Sequence, residues 1–216
     1  MRRPLIMLVT DRRRGGEAAM LASVGAASAA GVDLIQVRER ELDDLDLLDL
    51  TVRIRDVAAG RARLLVNERV DVAFAAGAAG VHLPGRAVAA ARIRPIAPTS
   101  FLLGRSVHSI DDARQAESSG GCDYLVFGTV FESASKPAAH EPAGLEQLSR
   151  VCAAVALPVL AIGGVTVDRI AEIARAGAAG VAAIGLFTQP ERIAGDVAAI
   201  REIFSRSAAW PRPLYS

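Results

Sequence analysis

The feature that most constrains this chain is a phrase that recurs four times: a helix-like segment closes on a glycine, two or three residues pass, and an apolar run begins. It reads Ala30-Gly31-Val32-Asp33-Leu34, Ala76-Gly77-Ala78-Ala79-Gly80-Val81, Gly120-Gly121-Cys122-Asp123-Tyr124, and Ala176-Gly177-Ala178-Ala179-Gly180-Val181. Glycine just past the last helical residue takes the left-handed conformation that ends a helix, and a short loop then feeds the next strand. Further apolar runs at 5–10, 63–67, 101–107 and 159–162 bring the strands to eight. Their near-continuous apolar character is that of parallel strands covered on both faces. Helical patterns separate them at 17–30, 42–59, 70–76, 88–96, 111–119, 145–155, 167–176 and 191–204. Eight strand and helix pairs in 216 residues predict an α/β fold, a single-domain (β/α)₈ TIM barrel over residues 1–206. A doubly wound open sheet is the alternative. Residues 207–216, with Trp210, Pro211 and Pro213, break the periodicity and are expected to be a disordered tail or a contact with a second subunit in a homo-oligomer.

Charge and composition narrow the partners. The formal net charge is +1 with both signs interspersed, which leaves no basic face for nucleic acid. No apolar stretch is long enough to span a bilayer, and the N-terminus enters a strand-like run, so a cytoplasmic protein without a membrane partner is expected. Cys122 and Cys152 lack CxxC spacing and a nearby histidine, and read as buried free thiols.

In such a barrel chemistry sits at the carboxyl ends of the strands. Over 158–185, the run Val159-Leu160-Ala161-Ile162 ends in Gly163-Gly164, and Val181-Ala182-Ala183-Ile184 ends in Gly185. Glycines past a strand bring bare N–H groups close to an anion, and the following helix points its positive end there, so Gly163, Gly164, Ile184 and Gly185 are candidate phosphate ligands. Thr166 is a plausible N-cap for the helix between the two strands.

The second strand ends Gln36-Val37-Arg38-Glu39-Arg40; alternation puts Gln36, Arg38 and Arg40 on one face, which needs an anion, and turns Glu39 away. A surface strand end with salt bridges from these arginines to Glu39, Glu41 and Asp43 is the competing reading. The third strand ends at Asn67-Glu68, the fourth at His82, and the fifth at Ser106-Val107-His108, where Ser106 and His108 share a face. Each of these is a candidate contact or an inert cap. Lys136 is the one lysine among 25 basic residues, and it follows Ser133 and Ser135 in a loop after the sixth strand. A compact ammonium kept in a chain that otherwise uses arginine, beside two hydroxyls, points to an anion site on a loop long enough to act as a lid.

These residues resemble one family over nearly the whole barrel: the thiamine phosphate synthase superfamily, which includes thiazole tautomerases of the TenI type. Gln36-Val37-Arg38-Glu39-Arg40 is similar to its Q-x-R-x-K, Asn67 to Asp71 to N-D-x-x-D, Gly80-Val81-His82-Leu83 to G-V-H-L, Ser133-Ala134-Ser135-Lys136 to T-x-T-K, and Ala161-Ile162-Gly163-Gly164-Val165 to A-I-G-G-I. The resemblance implies a small phosphorylated thiazole ligand, held by the Gly163-Gly164 and Ile184-Gly185 turns and the Ser133/Ser135 loop. In the synthase branch it further implies a pyrimidine pyrophosphate on Arg38, Arg40, Asn67, Ser106 and Lys136, with Mg²⁺.

Two departures shape the expectation. Glu68 replaces the first metal-binding aspartate, and Pro84-Gly85-Arg86-Ala87 offers no second one. One longer carboxylate near a cation is a poor match for Mg²⁺ and its strict octahedral geometry. The sequence is therefore expected to encode a TenI-like thiazole tautomerase, an isomerase that shifts a proton without metal or other cofactor. Thr129 stands where that branch has a histidine and is taken as a substrate contact, as is Gln36. The acid or base is then sought, in order, at His108, His82 and Glu132. The alternatives are a thiamine phosphate synthase, a transferase with Mg²⁺, and a non-catalytic phosphate-ligand binding or regulatory homologue.

Overall fold

The computed structural model describes residues 3–132 and 141–207. Eight strands alternate with helices: β1 (Leu5–Val9), α1 (Gly16–Ala30), β2 (Leu34–Val37), α2 (Asp44–Ala58), β3 (Arg63–Asn67), α3 (Val70–Ala75), β4 (Gly80–Leu83), α4 (Ala90–Ile93), β5 (Leu102–Val107), α5 (Ile110–Ser118), β6 (Tyr124–Gly128), α6 (Gly144–Ala154), β7 (Val159–Ile162), α7 (Ile170–Arg175), β8 (Gly180–Ala183) and α8 (Pro190–Ser205). The strands are parallel, pair in chain order and close through β1 with β8, where Leu5 pairs Gly180 and Met7 pairs Ala182. The fold is the (β/α)₈ barrel, and the open sheet is excluded.

Local chemistry sets the element ends. Gly31 and Gly177, which the sequence places just past α1 and α7, have φ of 83° and 91°, the left-handed region that favours glycine. Asp43 and Ser109 cap α2 and α5 by accepting the N–H of Asp46 and Asp112. The helix expected over 88–96 is shorter than that. Ala89 is extended, and after α4 the chain tightens into the 3₁₀ turn Arg94–Ile96, where Pro95 has no N–H to continue an α-helix. Residues 167–176 divide likewise into the 3₁₀ turn Val167–Arg169 and α7. Thr166 occupies the N-cap position there, but its side chain makes no capping bond.

Two apolar layers hold the barrel. Ile6, Leu8, Ile35, Val66, Val81, Leu103 and their like pack outward against the helices, while Met7, Val9, Leu34, Leu65, Leu102, Tyr124, Val126, Leu160 and Ala182 fill the axis. The two sets alternate along each strand, as the period of two requires. Tyr124 is completely buried in the axial layer, and Gly104, its partner in register, makes room: a Cβ at 104 would lie 2.0 Å from Tyr124 Cζ. At the floor, Arg201 of α8 donates to the Pro4 carbonyl at 2.9 Å and to Asp33 at 3.1 Å, bolting the last helix to the seam between β1 and β2. Cys122 and Cys152 are free and half-buried. Among the described residues no helix is long and apolar enough to cross a membrane.

Two glycines separate packing from propensity. Gly104→Ala forces the Tyr124 ring to move and is expected to lose roughly 1–3 kcal/mol in urea unfolding. Gly195→Ala, in α8 with nothing within 4 Å, is expected to gain about 0.5–1 kcal/mol.

Candidate active site

The axial parity that buries Leu34, Leu65 and Leu102 continues upward through Gln36, Asn67 and Ser106, so the polar residues read from the sequence converge on the barrel mouth. They line a cavity of about 940 Å³, room for two small phosphorylated molecules. Gln36 is buried, and its amide donates to Asn67 Oδ1 at 3.0 Å. His82 is held at both nitrogens, with Nδ1 3.2 Å from the Tyr124 hydroxyl and Nε2 2.8 Å from Ser106 Oγ. His108 Nδ1 lies 2.7 Å from the Gly128 carbonyl, which can only accept, so Nδ1 carries a proton and donates it there. Thr129 and Glu132 also line the cavity.

Cations dominate the opening. Arg38 and Arg40 reach it from the end of β2, as alternation requires. Their strand end is fixed by a buried knot: Thr10 Oγ1 donates to Glu39 Oε1 at 2.5 Å and accepts the Arg38 N–H at 3.0 Å, while Glu39 Oε2 accepts the Arg12 N–H at 3.1 Å. Glu39 does turn away from the mouth, and it is buried against β1 instead of pairing with the mouth arginines. Arg38 is half-buried, and among the described residues its guanidinium has no hydrogen bond or ion pair. Burial, and then the like charge of Arg40, pull its pKa below the ordinary arginine value.

The turn after β7 has Gly163 at φ 99° and Gly164 at φ 62°. A Cβ on Gly163 would come within 2.8 Å of Thr129 Cα, so both backbone angle and crowding call for glycine. Facing it is the turn Gly185–Phe187 after β8, and Gly163, Gly164, Ile184 and Gly185 all border the cavity. Arg169 ties down this corner, donating to the Gly164 carbonyl at 2.6 Å with its guanidinium carbon 4.4 Å from the centre of the Phe131 ring.

Sequence reading missed Arg14, Arg169 and Arg192, which line the same cavity. Arg169 lies six residues past Gly163, within the first turns after the glycine pair, and that spacing was the available signal. Arg192 enters from α8, and only the closed barrel brings it round. Ser133, Ser135 and Lys136 lie outside the described residues.

The protein's own donors fit a divalent ion poorly. Glu68 is exposed, and Asp71 is engaged by Arg69 at 2.6 Å, which holds its carboxyl down to about 2. Among the described residues no group of three or more His, Cys, Asp and Glu side chains comes together. Arg105 takes up the carbonyls of Gly85, Ala87 and Val88, placing a cation under the loop after β4.

Fold and cavity define a (β/α)₈-barrel protein whose arginine-lined mouth is suited to anionic small molecules. Within that class the chain belongs to the thiamine monophosphate synthase family, whose model matches residues 6–187. It is 39% identical to the thiamine-phosphate synthase of Methanoculleus marisnigri over 94% of this chain and 95% of that one, and 39% identical to that of Roseiflexus castenholzii over 84% and 80%. A structure of thiamine phosphate pyrophosphorylase from Pyrococcus furiosus superposes with a TM-score of 0.80 at 30% identity, covering 94% and 96% of the two chains. A 3-hexulose-6-phosphate synthase superposes at a TM-score of 0.69 but 17% identity, covering 92% of this chain and 99% of that one, and shares the fold alone.

These relatives overturn the expected thiazole tautomerase and its isomerase chemistry. That expectation rested on Glu68 and on the missing carboxylate in Pro84-Gly85-Arg86-Ala87, a few positions in motifs that otherwise match, whereas the similarity to named synthases spans nearly the whole chain. The acid or base roles sought at His108, His82 and Glu132 lose the reaction that required them.

The buried histidine leaves a mark on stability. Burial, with Arg38 second, pulls His82 from 6.5 down to about 3, so the ring is neutral in the folded protein at neutral pH. Between those values the unfolded chain binds a proton that the folded one does not, so this contribution is complete above pH 6.5 and falls as the pH drops toward 3. Urea unfolding at about pH 7 and about pH 5 is expected to show up to about 2 kcal/mol lost from this ring, with a smaller pH effect in His82→Gln.

Proposed function

We propose that this protein is a thiamine phosphate synthase, a transferase that joins a pyrimidine pyrophosphate to a thiazole phosphate. The observation that carries the reading is Arg38, a half-buried guanidinium with no hydrogen bond or ion pair among the described residues, at the mouth of a cavity with room for both substrates. Such a cation calls for an anion that comes and goes. The names of the full-length relatives supply the substrate class.

In this reading the C–O bond to pyrophosphate breaks, the thiazole ring nitrogen forms the new C–N bond to the pyrimidine methylene carbon, and pyrophosphate departs with the bonding electrons. Charge develops on the leaving group, and pre-placed donors stabilise it at little reorganisation cost. Arg38, Arg40, Asn67 and Ser106 are assigned to the pyrophosphate, together with Lys136. The thiazole phosphate is assigned to Gly163, Gly164, Ile184 and Gly185, with Ser133 and Ser135 from the loop and Arg169 and Arg192 adding charge. Gln36 and Thr129 are left to orient the rings. A divalent ion would have to arrive on the pyrophosphate itself, since the described residues gather no group of three or more metal-ligating side chains to hold it. Phosphorylated substrates do not cross membranes unaided, which suits the expected cytoplasmic location.

Incubating the protein with both substrates is expected to yield thiamine phosphate and pyrophosphate in equal amounts; tight binding of both without product would instead favour a regulatory homologue. Arg38→Met is expected to lower kcat/KM for the pyrimidine pyrophosphate by about a hundredfold or more. Its urea midpoint should be unchanged or higher, because a half-buried cation that makes no hydrogen bond or ion pair among the described residues is removed.

A further inference from the structure

His82, Tyr124 and Ser106 form a chain that the reading above uses only at its last member. Tyr124 rises from the axial core, fully buried, over the space that Gly104 leaves. Asn67, His82, Gly104 and Tyr124 stand in register across β3 to β6, so the phenol and the imidazole meet at one level of the barrel. The two rings are tilted by 30° with centroids 5.8 Å apart, and the hydroxyl lies 3.2 Å from Nδ1. On its other side the imidazole reaches Ser106 Oγ at 2.8 Å, and Ser106 lines the cavity. Three side chains on three strands thus run from the dry interior to the ligand space.

A neutral imidazole has one N–H and one lone pair, so the chain can carry its hydrogens in two directions. In one, Tyr124 donates to Nδ1, Nε2–H donates to Ser106 Oγ, and the serine proton points to the cavity. In the other, Ser106 donates to Nε2, and only oxygen lone pairs face the ligand. The phenol proton is far more acidic than that of serine, and a ring nitrogen is its best acceptor, so the pairing of strongest donor with strongest acceptor selects the first direction. The arginines at the mouth call for an anion, and an anion needs donors from its walls.

The structure assigns Tyr124 and His82 as positioning residues: a relay that locks Ser106 as a hydrogen-bond donor toward the anionic leaving group. The identity of that group as pyrophosphate rests on the synthase reading, whereas the direction of the relay does not. Arg38 and burial both disfavour a second proton on the ring, which keeps the relay intact at neutral pH.

The first test needs no substrate. In protein labelled with ¹⁵N at its three histidines, with His82 assigned by its loss in His82→Gln, His82 is expected as the neutral Nε2–H tautomer. A dominant Nδ1–H tautomer overturns the relay even if the protein makes thiamine phosphate. The second test is a double-mutant cycle on the affinity for inorganic pyrophosphate and on KM for the pyrimidine pyrophosphate. Ser106→Ala and Tyr124→Phe are each expected to weaken both by roughly tenfold, with KM for the thiazole phosphate unchanged, and the double variant to be no worse than either alone. Additive losses, or equal losses toward both substrates, reduce Tyr124 to packing and overturn the assignment. A wild-type protein that shows the expected tautomer but turns over neither substrate would reject the synthase reading and keep the relay.

Discussion

A closed parallel barrel leaves its strands no freedom over alternate residues. With eight strands in the ring, every second side chain enters the axis, and the space it finds is set by the other strands. Low in this barrel the entrants are Met7, Leu34, Leu65, Leu102 and Leu160, and they pack dry. One step higher the same parity delivers Gln36, Asn67, His82 and Ser106, polar groups that must satisfy one another or wait for a ligand. Gln36 and Asn67 satisfy each other in part, and His82 is matched at both nitrogens. Arg38 and Arg40, two and four places past Gln36, are what remains for the ligand.

Much of this was legible because it depends on local rules. Glycine past a helix end, apolar runs of strand length and the period of two are enough to lay out the barrel and to place Gln36, Arg38, Ser106 and His108 on the mouth side. Features arising from contacts distant in sequence were not legible. Parity turns Glu39 away from the mouth, but nothing in the sequence says that Thr10, 29 residues earlier, donates to it and fixes the arginines. Arg192 belongs to the last helix, and only closure swings it over the pocket. Tyr124 reads as one more apolar strand residue until Gly104 is seen to give its ring room.

The misread function has a similar origin. The lack of aspartates at the two positions where the resemblance implied metal ligands was given the weight of a change in chemistry, although Arg38, Arg40, Asn67 and Ser106 line the mouth as the motifs led one to expect. Cations and carboxylates at a site trade against each other. Where Arg69 occupies Asp71 and Arg105 holds the loop after β4, a protein-held ion would meet positive charge, while Arg38 and Arg40, which do line the cavity, are placed to serve an anionic group directly. Loss of metal ligands in a site of this kind therefore says little about the bond being broken.

The bolt at the floor carries an implication for how the molecule comes to exist. Arg201 joins partners 197 and 168 positions away along the chain, and the pairing of β1 with β8 spans nearly as much. Contacts of such long range are slow to find and close late. During synthesis one edge of β1 stays open until β8 has emerged to pair with it, and α8 must follow before Arg201 can lock the seam.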